Sequence, residues 1–290
     1  TKTDFINFTR CRRYVALEEI RKEKLDADIS YEEYKHQEEQ DILKELLAGM
    51  FEDENYEIDT TIKVNKQMQA MMPYYKQVEM EAGRLTNKYF HGKSVYAGST
   101  FNQESFEFNK NGIRYVCYVD IYNEVNNDIN IIEVKATTSS KYVKLQSNHK
   151  KGEKFSIFHF DKSKNCYYLK DEIDGYPLEE EMPLENYAKQ REKLFDRYSD
   201  VGGYVFDLAI QRFILEGEYR ESNNEEALKN VHYYLAVLNH NYVFDGTYEN
   251  KKAVYHPDED ENEIVVFFDL TKVTEEYQKI IAVMEEKLER

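Results

Sequence analysis

Residues 115–140 read YVCYVDIYNEVNNDINIIEVKATTSS and predict the central element of the fold. Apolar and polar residues alternate on either side of Asn126-Asn127, a pattern typical of half-buried β-strands. Asparagine tolerates the positive φ that a two-residue primed turn requires. We therefore predict a hairpin whose two strands lie at 115–122 and 129–136.

Three charged side chains converge on one face of this hairpin. The tight turn places Asp120 opposite Glu133, and Lys135 shares their face because side chains return to it every second residue. Like charges that face each other on a sheet are destabilising, so a positive group is expected between the two acids. Lys135 can supply part of that charge, and two carboxylates aimed at one point suit Mg²⁺. The alternative is a partly exposed charge ladder with Asp120 in solvent.

The segments around the hairpin predict an α/β fold. Residues 1–70 read as helices, with a capping box that begins at Ser30, and Pro73 is expected to end a helix over 62–72. An apolar stripe with a period near 3.6 predicts a further helix over 74–90. The remaining predicted segments are strands at 155–160, 166–169, 232–239 and 263–270, and helices at 184–198, 204–215 and 273–288.

The composition narrows the class of protein. Of the 290 residues 41% are hydrophobic, enough to bury a core, and with 11 glycines and 4 prolines the chain is expected to form a single domain over 1–290. A net charge of −17 argues against coating nucleic acid or a membrane through bulk charge. No apolar run approaches the ~18–20 residues of a membrane span, and neither a secretory leader nor a disulfide framework is recognisable. We therefore expect a cytoplasmic protein without a membrane partner.

Asp120 followed by Glu133-Val134-Lys135 resembles the PD-(D/E)XK nuclease superfamily. Further segments are similar to motifs of its RecB-like exonuclease branch, namely residues 1–5 with 11–13, Glu81-Ala82-Gly83, the Ser/Thr-rich exit at 136–139, and Asp207 to Gln211. Residues 238–242 and 269–271 resemble a bacterial group of nucleases whose longer members carry a second nuclease-like domain. No such domain is recognised in this sequence, so the chain is expected to be a short member or a fragment.

This resemblance implies a fold, an activity and a cofactor. The fold is restriction-endonuclease-like, a mixed central sheet flanked by helices, with 14–72 as an N-terminal helical extension or insertion and 73–290 as the nuclease core. The activity is a Mg²⁺- or Mn²⁺-dependent nuclease, an exonuclease that hydrolyses DNA with little sequence specificity. Relatives with an iron–sulfur cluster use one early cysteine and three late ones; Cys11 fits the first place but none follows Cys166, so no cluster is predicted and Cys11 is expected in the core.

The resemblance also assigns the site residues. The residues that correspond to metal ligands are Asp120, Glu133, the Val134 carbonyl and Glu81. Those that correspond to residues orienting the attacking water or the scissile phosphate are Lys135 and Gln211. Two of them have plain structural alternatives, because Glu81 suits a solvated position at the edge of a helical stripe and Gln211 suits a satisfied core amide.

A local basic patch would have to meet the DNA phosphates despite the net negative charge. The basic residues expected to do so are Lys141, Lys144, Lys150, Lys151, Arg12 and Arg13. Phosphate contacts of this kind make binding sensitive to salt. The alternative is a basic loop that is only solvated.

Two other classes of function stay open. One is a nuclease fold that has lost activity and serves as a DNA-binding or assembly module. The other is a structural acidic interaction domain, which would account for the charge of −17. Titration with Mn²⁺ separates the first two classes from this third one, and a nuclease assay separates an active from an inactive nuclease fold.

Overall fold

The fold is seen in a computed structural model, which describes residues 1–10, 16, 17, 20, 66–96, 103–148, 152–250 and 252–288. The helices predicted between residues 14 and 65, with the capping box at Ser30, lie outside the described residues except for positions 16, 17 and 20, which are helical.

The described residues form seven α-helices and thirteen strands. The helices are α1 (Lys2–Arg10), α2 (Lys66–Tyr89), α3 (Ser140–Val143), α4 (Leu178–Glu181), α5 (Leu184–Glu192), α6 (Asp200–Glu221) and α7 (Thr271–Leu288). The first nine strands are β1 (Lys93–Tyr96), β2 (Ser105–Lys110), β3 (Ile113–Tyr118), β4 (Ile121–Val125), β5 (Asp128–Thr138), β6 (Gln146–Asn148), β7 (Lys154–Ser156), β8 (Phe158–Asp161) and β9 (Cys166–Leu169). The last four are β10 (Val231–Leu238), β11 (Tyr248–Glu249), β12 (Lys252–Ala253) and β13 (Val265–Asp269).

A seven-stranded mixed sheet forms the centre of the fold, in the order β1-β4-β5-β10-β13-β9-β8. The pairs β5–β10 and β13–β9 are parallel, and the other neighbours are antiparallel. Ile131 of β5 belongs to the hydrophobic cluster that contains α6, whereas its neighbour Ile132 belongs to the cluster that contains α2. Because successive residues of a strand point to opposite faces, α6 and α2 cover opposite faces of the sheet. The predicted α/β class, a mixed sheet flanked by helices, is confirmed.

The predicted hairpin is present in the predicted register. Strands β4 and β5 pair from Ile121 opposite Ile132 to Val125 opposite Asp128. Asn126 and Asn127 have φ of 50° and 78°, the positive values that a two-residue type I′ turn requires. Asp120 directly precedes β4, and continuing the same register places it opposite Glu133.

The single strand predicted over 115–122 is wrong, since the chain forms two strands there. β3 ends at Tyr118 and pairs with β2, whereas β4 begins at Ile121 and joins the central sheet. Buried side chains point to opposite faces of the sheet before and after this break. Val119 belongs to the hydrophobic cluster that contains α6, whereas Ile121 belongs to the cluster that contains α2. Burial nevertheless alternates without interruption from Tyr115 to Asn123, so the sequence pattern does not reveal the break.

The expected helix end at Pro73 is also wrong. α2 continues through Pro73 from Lys66 to Tyr89. Proline lacks one intrahelical donor and crowds the preceding turn, but a 24-residue helix retains its other hydrogen bonds and its packing. The predicted apolar stripe is confirmed, since Ala82 and Leu85 are fully buried against the sheet.

The other predicted segments of the described chain are present, although the strand predicted over 155–160 is divided between β7 and β8. Five strands were not predicted, namely β1, β2, β6, β11 and β12. Helices α5, α6 and α7 and strands β7–β10 and β13 lie within the predicted ranges or overlap them. α6 is the predicted buried helix, and residues 259–261 of the acidic run form an exposed loop as expected. None of the described helices combines the length and apolarity needed to cross a bilayer.

Candidate active site

Glu133 is the centre of the candidate site and is 2% exposed. It lies on β5, on the face covered by α6, and its Oε1 atom is 2.8 Å from Nζ of Lys135 and 2.9 Å from Nζ of Lys2. The side-chain amide of Gln211 donates a hydrogen bond to Oε2. Burial disfavours the carboxylate, but the ammonium groups of Lys135 and Lys2 outweigh it and hold the pKa of Glu133 well below its usual range. Glu133 is therefore a buried anion, and an exposed charge ladder is ruled out for it.

Asp120 is the second acid of the site. Its Oδ2 accepts a hydrogen bond from the Val134 backbone N–H at 2.8 Å, and its Oδ1 accepts one from the Gln103 side-chain amide at 3.1 Å. Burial and the neighbouring Glu133 raise the pKa of Asp120 to about 7. Near neutral pH a proton or another cation is therefore needed to stabilise this carboxyl group.

Lys135 is held between two acids. Its Nζ lies 2.9 Å from Oδ2 of Asp207, in addition to its contact with Glu133, and 5.4 Å from the ring centre of Tyr204. Burial alone would lower the pKa of Lys135, but Asp207 and Glu133 raise it well above the ordinary value. The ammonium is therefore charged over the whole physiological range.

The contacts of α6 with β5 at the site arise because residue spacing on the helix matches residue spacing on the strand. Asp207 and Gln211 are one helical turn apart on α6, roughly 6 Å along the axis. Glu133 and Lys135 are two residues apart on β5, roughly 6.6 Å. The two pairs are therefore in register, with Gln211 on Glu133 and Asp207 on Lys135.

The end of β4 exposes the edge of β5 at the site. The last ladder pair is Ile121 with Ile132, so the N–H of Val134 bonds to the Asp120 side chain instead of to a strand. The N–H and C=O of one strand residue point to the same edge, which places the Val134 carbonyl on the Asp120 side. Directly after Lys135 the register with β10 shifts, since Val237 pairs with Lys135 but Leu238 pairs with Thr138. Such irregularities are common beside active sites.

The donor set fits a hard divalent cation. Two carboxylates and a carbonyl supply the oxygen ligands that Mg²⁺ and Mn²⁺ prefer. Oε1 of Gln211 is buried without a hydrogen-bond partner in the described part of the chain, so it can accept from a bound water. Within the same residues no group of three or more His, Cys, Asp or Glu side chains is placed to hold a metal. Water and substrate oxygens would have to complete the shell.

The structure does not bring Glu81 into this cluster. Its carboxylate accepts a hydrogen bond from Nε of Arg84 at 2.7 Å, and α2 covers the face of the sheet opposite α6. Gly83 nevertheless packs closely on β1, where a Cβ atom would lie 2.3 Å from the Tyr96 ring. Tyr96 pairs with Ile121, the residue after Asp120, so this turn of α2 lies near the start of β4. The role of Glu81 as a ligand stays a prediction.

Only part of the predicted basic patch is described. Lys141 forms an ion pair with Asp200 at 2.9 Å, and Lys144 is exposed at the end of α3. Both follow β5 directly, so they lie on the chain segment that leaves the site. The other predicted phosphate contacts are outside the described residues, namely Lys150, Lys151, Arg12 and Arg13. Cys11 is also outside them, whereas Cys117 and Cys166 are free and buried.

Three residues of the site were not predicted as such. Asp207 had a signal, because it is one turn before Gln211 on the same helical face. Gln103 had none in the local pattern, since it reaches Asp120 from 17 positions away. Lys2 lies in the stretch 1–5 that resembles a family motif, but no local pattern predicts its contact with Glu133, 131 positions away.

Comparison with known proteins adds no assignment. No protein-family model, no curated protein and no solved structure matches this chain.

Proposed function

We propose that this chain is a metal-dependent nuclease of the PD-(D/E)XK type, with a restriction-endonuclease-like arrangement of its sheet and helices. The observation that supports this most strongly is the convergence of Asp120, Glu133 and Lys135 on one face of the sheet. The contact of Gln211 with Glu133 adds the fourth residue of the motif. The proposed reaction is hydrolysis of phosphodiester bonds in DNA with little sequence specificity, as an exonuclease.

The proposed mechanism assigns a role to each side chain. Asp120, Glu133 and the Val134 carbonyl would hold one or two Mg²⁺ or Mn²⁺ ions. A bound ion of this kind lowers the pKa of its water and polarises the phosphate. Lys135, kept charged by its two acidic neighbours, donates to the attacking water and stabilises the charge on the phosphate oxygens. Gln211 positions Glu133 through its amide N–H and accepts from a water through Oε1.

No histidine base is required by this scheme. A bound cation would activate the water, and within the described residues the side chains in ion-pair or hydrogen-bond contact with Glu133 and Lys135, besides each other, are those of Lys2, Asp207 and Gln211. Lys141 and Lys144 are proposed to contact the phosphate backbone next to the site. With a net charge of −17, binding depends on such local contacts and weakens as salt rises.

A second function is favoured by one observation. Both carboxylate oxygens of Glu133 already accept from ammonium or amide donors, so its charge is compensated by the protein itself. A nuclease fold without activity, which binds DNA or assembles with a partner, would need nothing more.

A cleavage assay separates these two functions. End-labelled single-stranded DNA, double-stranded DNA and RNA are incubated with the protein in Mn²⁺, in Mg²⁺ and in EDTA. We expect cleavage of DNA in either metal, none in EDTA, and none by Asp120→Asn or Lys135→Met. Lys229→Met removes one positive charge far from the site, where Lys229 pairs with Glu226, and should cleave as wild type does. Metal-dependent DNA binding without cleavage by the wild type would support the inactive module instead.

A further inference from the structure

Helix α1 places an ammonium group in the acidic site. Lys2, at the start of α1, lies 2.9 Å from Oε1 of Glu133, and its side chain is 19% exposed. Phe5 holds the helix in place, since it is 3% exposed and packs against the rings of Tyr115 and Phe213. Lys2 is thus placed by a packed helix, which distinguishes it from a surface lysine.

Lys2 and Lys135 share a single carboxylate oxygen. Both bind Oε1 of Glu133, whereas Lys135 has a second acidic partner in Asp207. Among the described residues no ammonium lies within ion-pair distance of Asp120, which is held by amide donors. The contact of Lys2 with Glu133 can therefore break while Lys135, which the proposed mechanism uses, keeps both of its acidic partners.

A single divalent ion would balance the charge of the site only if Lys2 were absent from it. The site contains three carboxyl groups, of Asp120, Glu133 and Asp207, and Lys135 contributes one positive charge. When all three carboxyl groups are ionised, a divalent cation completes neutrality. If Lys2 stayed, one positive charge would be left over in a poorly hydrated site, and its ammonium would face the cation across one Glu133 oxygen. Uncompensated buried charge is strongly unfavourable.

We propose that Lys2 is an internal competitor of the metal ion: it occupies Glu133 in the metal-free protein and must leave Oε1 before a divalent cation binds Asp120 and Glu133. This inference rests on the proposed function, because it takes that site to be the metal site. It makes metal loading dependent on the position of α1. It also leaves a lysine next to the cation, where the phosphate of a substrate is the nearest anion for it to meet.

Calorimetric titration of the metal-free protein with MnCl₂ tests this competition. Lys2→Met keeps the length of the side chain and removes its charge, so we expect it to bind Mn²⁺ about tenfold more tightly than wild type, the effect of losing one charge-assisted hydrogen bond. Lys2→Arg retains a cation and should stay within about twofold of wild type. Lys229→Met removes the same charge away from the site and should also stay within about twofold.

Thermal unfolding provides a second measurement. Without metal, Lys2→Met should melt below wild type because Glu133 loses a partner, and Mn²⁺ should raise its melting temperature by more than it raises that of wild type. Equal or weaker Mn²⁺ binding by Lys2→Met, in a protein whose wild type binds Mn²⁺ and whose Asp120→Asn variant does not, would overturn this inference alone. Absence of Mn²⁺ binding in the wild type and in Lys2→Met would overturn both this inference and the metal site.

Discussion

The Nζ atom of Lys135 lies 2.9 Å from Oδ2 of Asp207, and this contact joins the motif-bearing strand to the helix that covers it. Asp207 is not a proposed ligand or acid–base group. It fixes the direction of the ammonium group, so it is a positioning residue for Lys135. The two side chains are 17% and 21% exposed, which leaves limited access for solvent to replace either partner.

Asp207→Asn should therefore impair catalysis through Lys135. A loss of about 10–100-fold in kcat is expected, the size typical when a partner that orients a metal ligand is removed, because Asp207 orients Lys135 in the same way. The free energy of unfolding should fall by about 1–3 kcal/mol because one charged partner is lost. Metal-dependent cleavage and chemical denaturation measure the two effects.

Glu285→Gln is a matched control for Asp207→Asn. Glu285 is 4% exposed and pairs with Lys110 at 2.8 Å, away from the site. It should lower stability by a similar amount and leave kcat unchanged. An equal loss of kcat in both variants would show that the effect of Asp207 is only structural.

The free energy of unfolding of the metal-free protein should depend on pH through the ionisation of Asp120. This carboxyl group has its ordinary pKa of 3.8 in the unfolded chain, whereas burial and Glu133 raise its pKa to about 7 in the folded chain. As pH rises above about 4, the unfolded state loses the proton first, so Asp120 progressively destabilises the fold until pH reaches about 7. Below pH 4 the residue contributes no such penalty.

Asp120→Asn removes this penalty and keeps an oxygen that accepts from Val134. In EDTA, its free energy of unfolding relative to wild type should increase between pH 4 and pH 7, by up to about 4 kcal/mol, and then level off. Urea denaturation at several pH values measures the difference. A difference that does not change with pH would mean that Asp120 ionises normally in the folded protein.

The Asn126-Asn127 turn sets the register that brings Asp120 opposite Glu133. Asn127 has a φ of 78°, so Asn127→Ala should cost about 1 kcal/mol of stability. Asn127→Gly should be neutral or stabilising, because glycine adopts this conformation without strain. Asn186→Ala, in helix α5, provides a control for removing an amide without a positive φ. Equal effects of alanine and glycine at position 127 would contradict the primed turn.

Lys144 tests the proposed DNA contact. In a Lys135→Met background, which should bind without cleaving, Lys144→Ala should weaken binding of a DNA oligonucleotide and reduce the slope of log affinity against log salt by about 0.7–0.9. Fluorescence anisotropy at several salt concentrations gives the slope. An unchanged slope, equal to that of the Lys229→Ala control, would place Lys144 outside the binding surface.

Local chemistry explains which parts of this fold the sequence predicts. The hairpin follows from two asparagines flanked by alternating residues, and the shared face of Glu133 and Lys135 follows from strand periodicity alone. Gln211 is predicted by its resemblance to a family motif, and Asp207 begins that same motif one helical turn earlier. These features need only short-range rules and one assumed register.

The rest depends on contacts that no local pattern encodes. The division between β3 and β4 is set by β2, which pairs with β3 and leaves β4 to the central sheet. Lys2 reaches Glu133 across 131 positions, and although residues 1–5 resemble a family motif, no local pattern predicts this contact. Pro73 is a further example. Proline usually ends a helix, but the length and packing of α2 keep it helical through this position.

An anomalous difference map from crystals grown with Mn²⁺ shows whether Asp120 and Glu133 together hold a divalent cation. We expect a peak at about 2.1 Å from carboxylate oxygens of both Asp120 and Glu133, with the Lys2 ammonium displaced from Glu133. A map without a peak there at saturating Mn²⁺, with Lys2 and Lys135 both still on Oε1 of Glu133, would contradict this expectation.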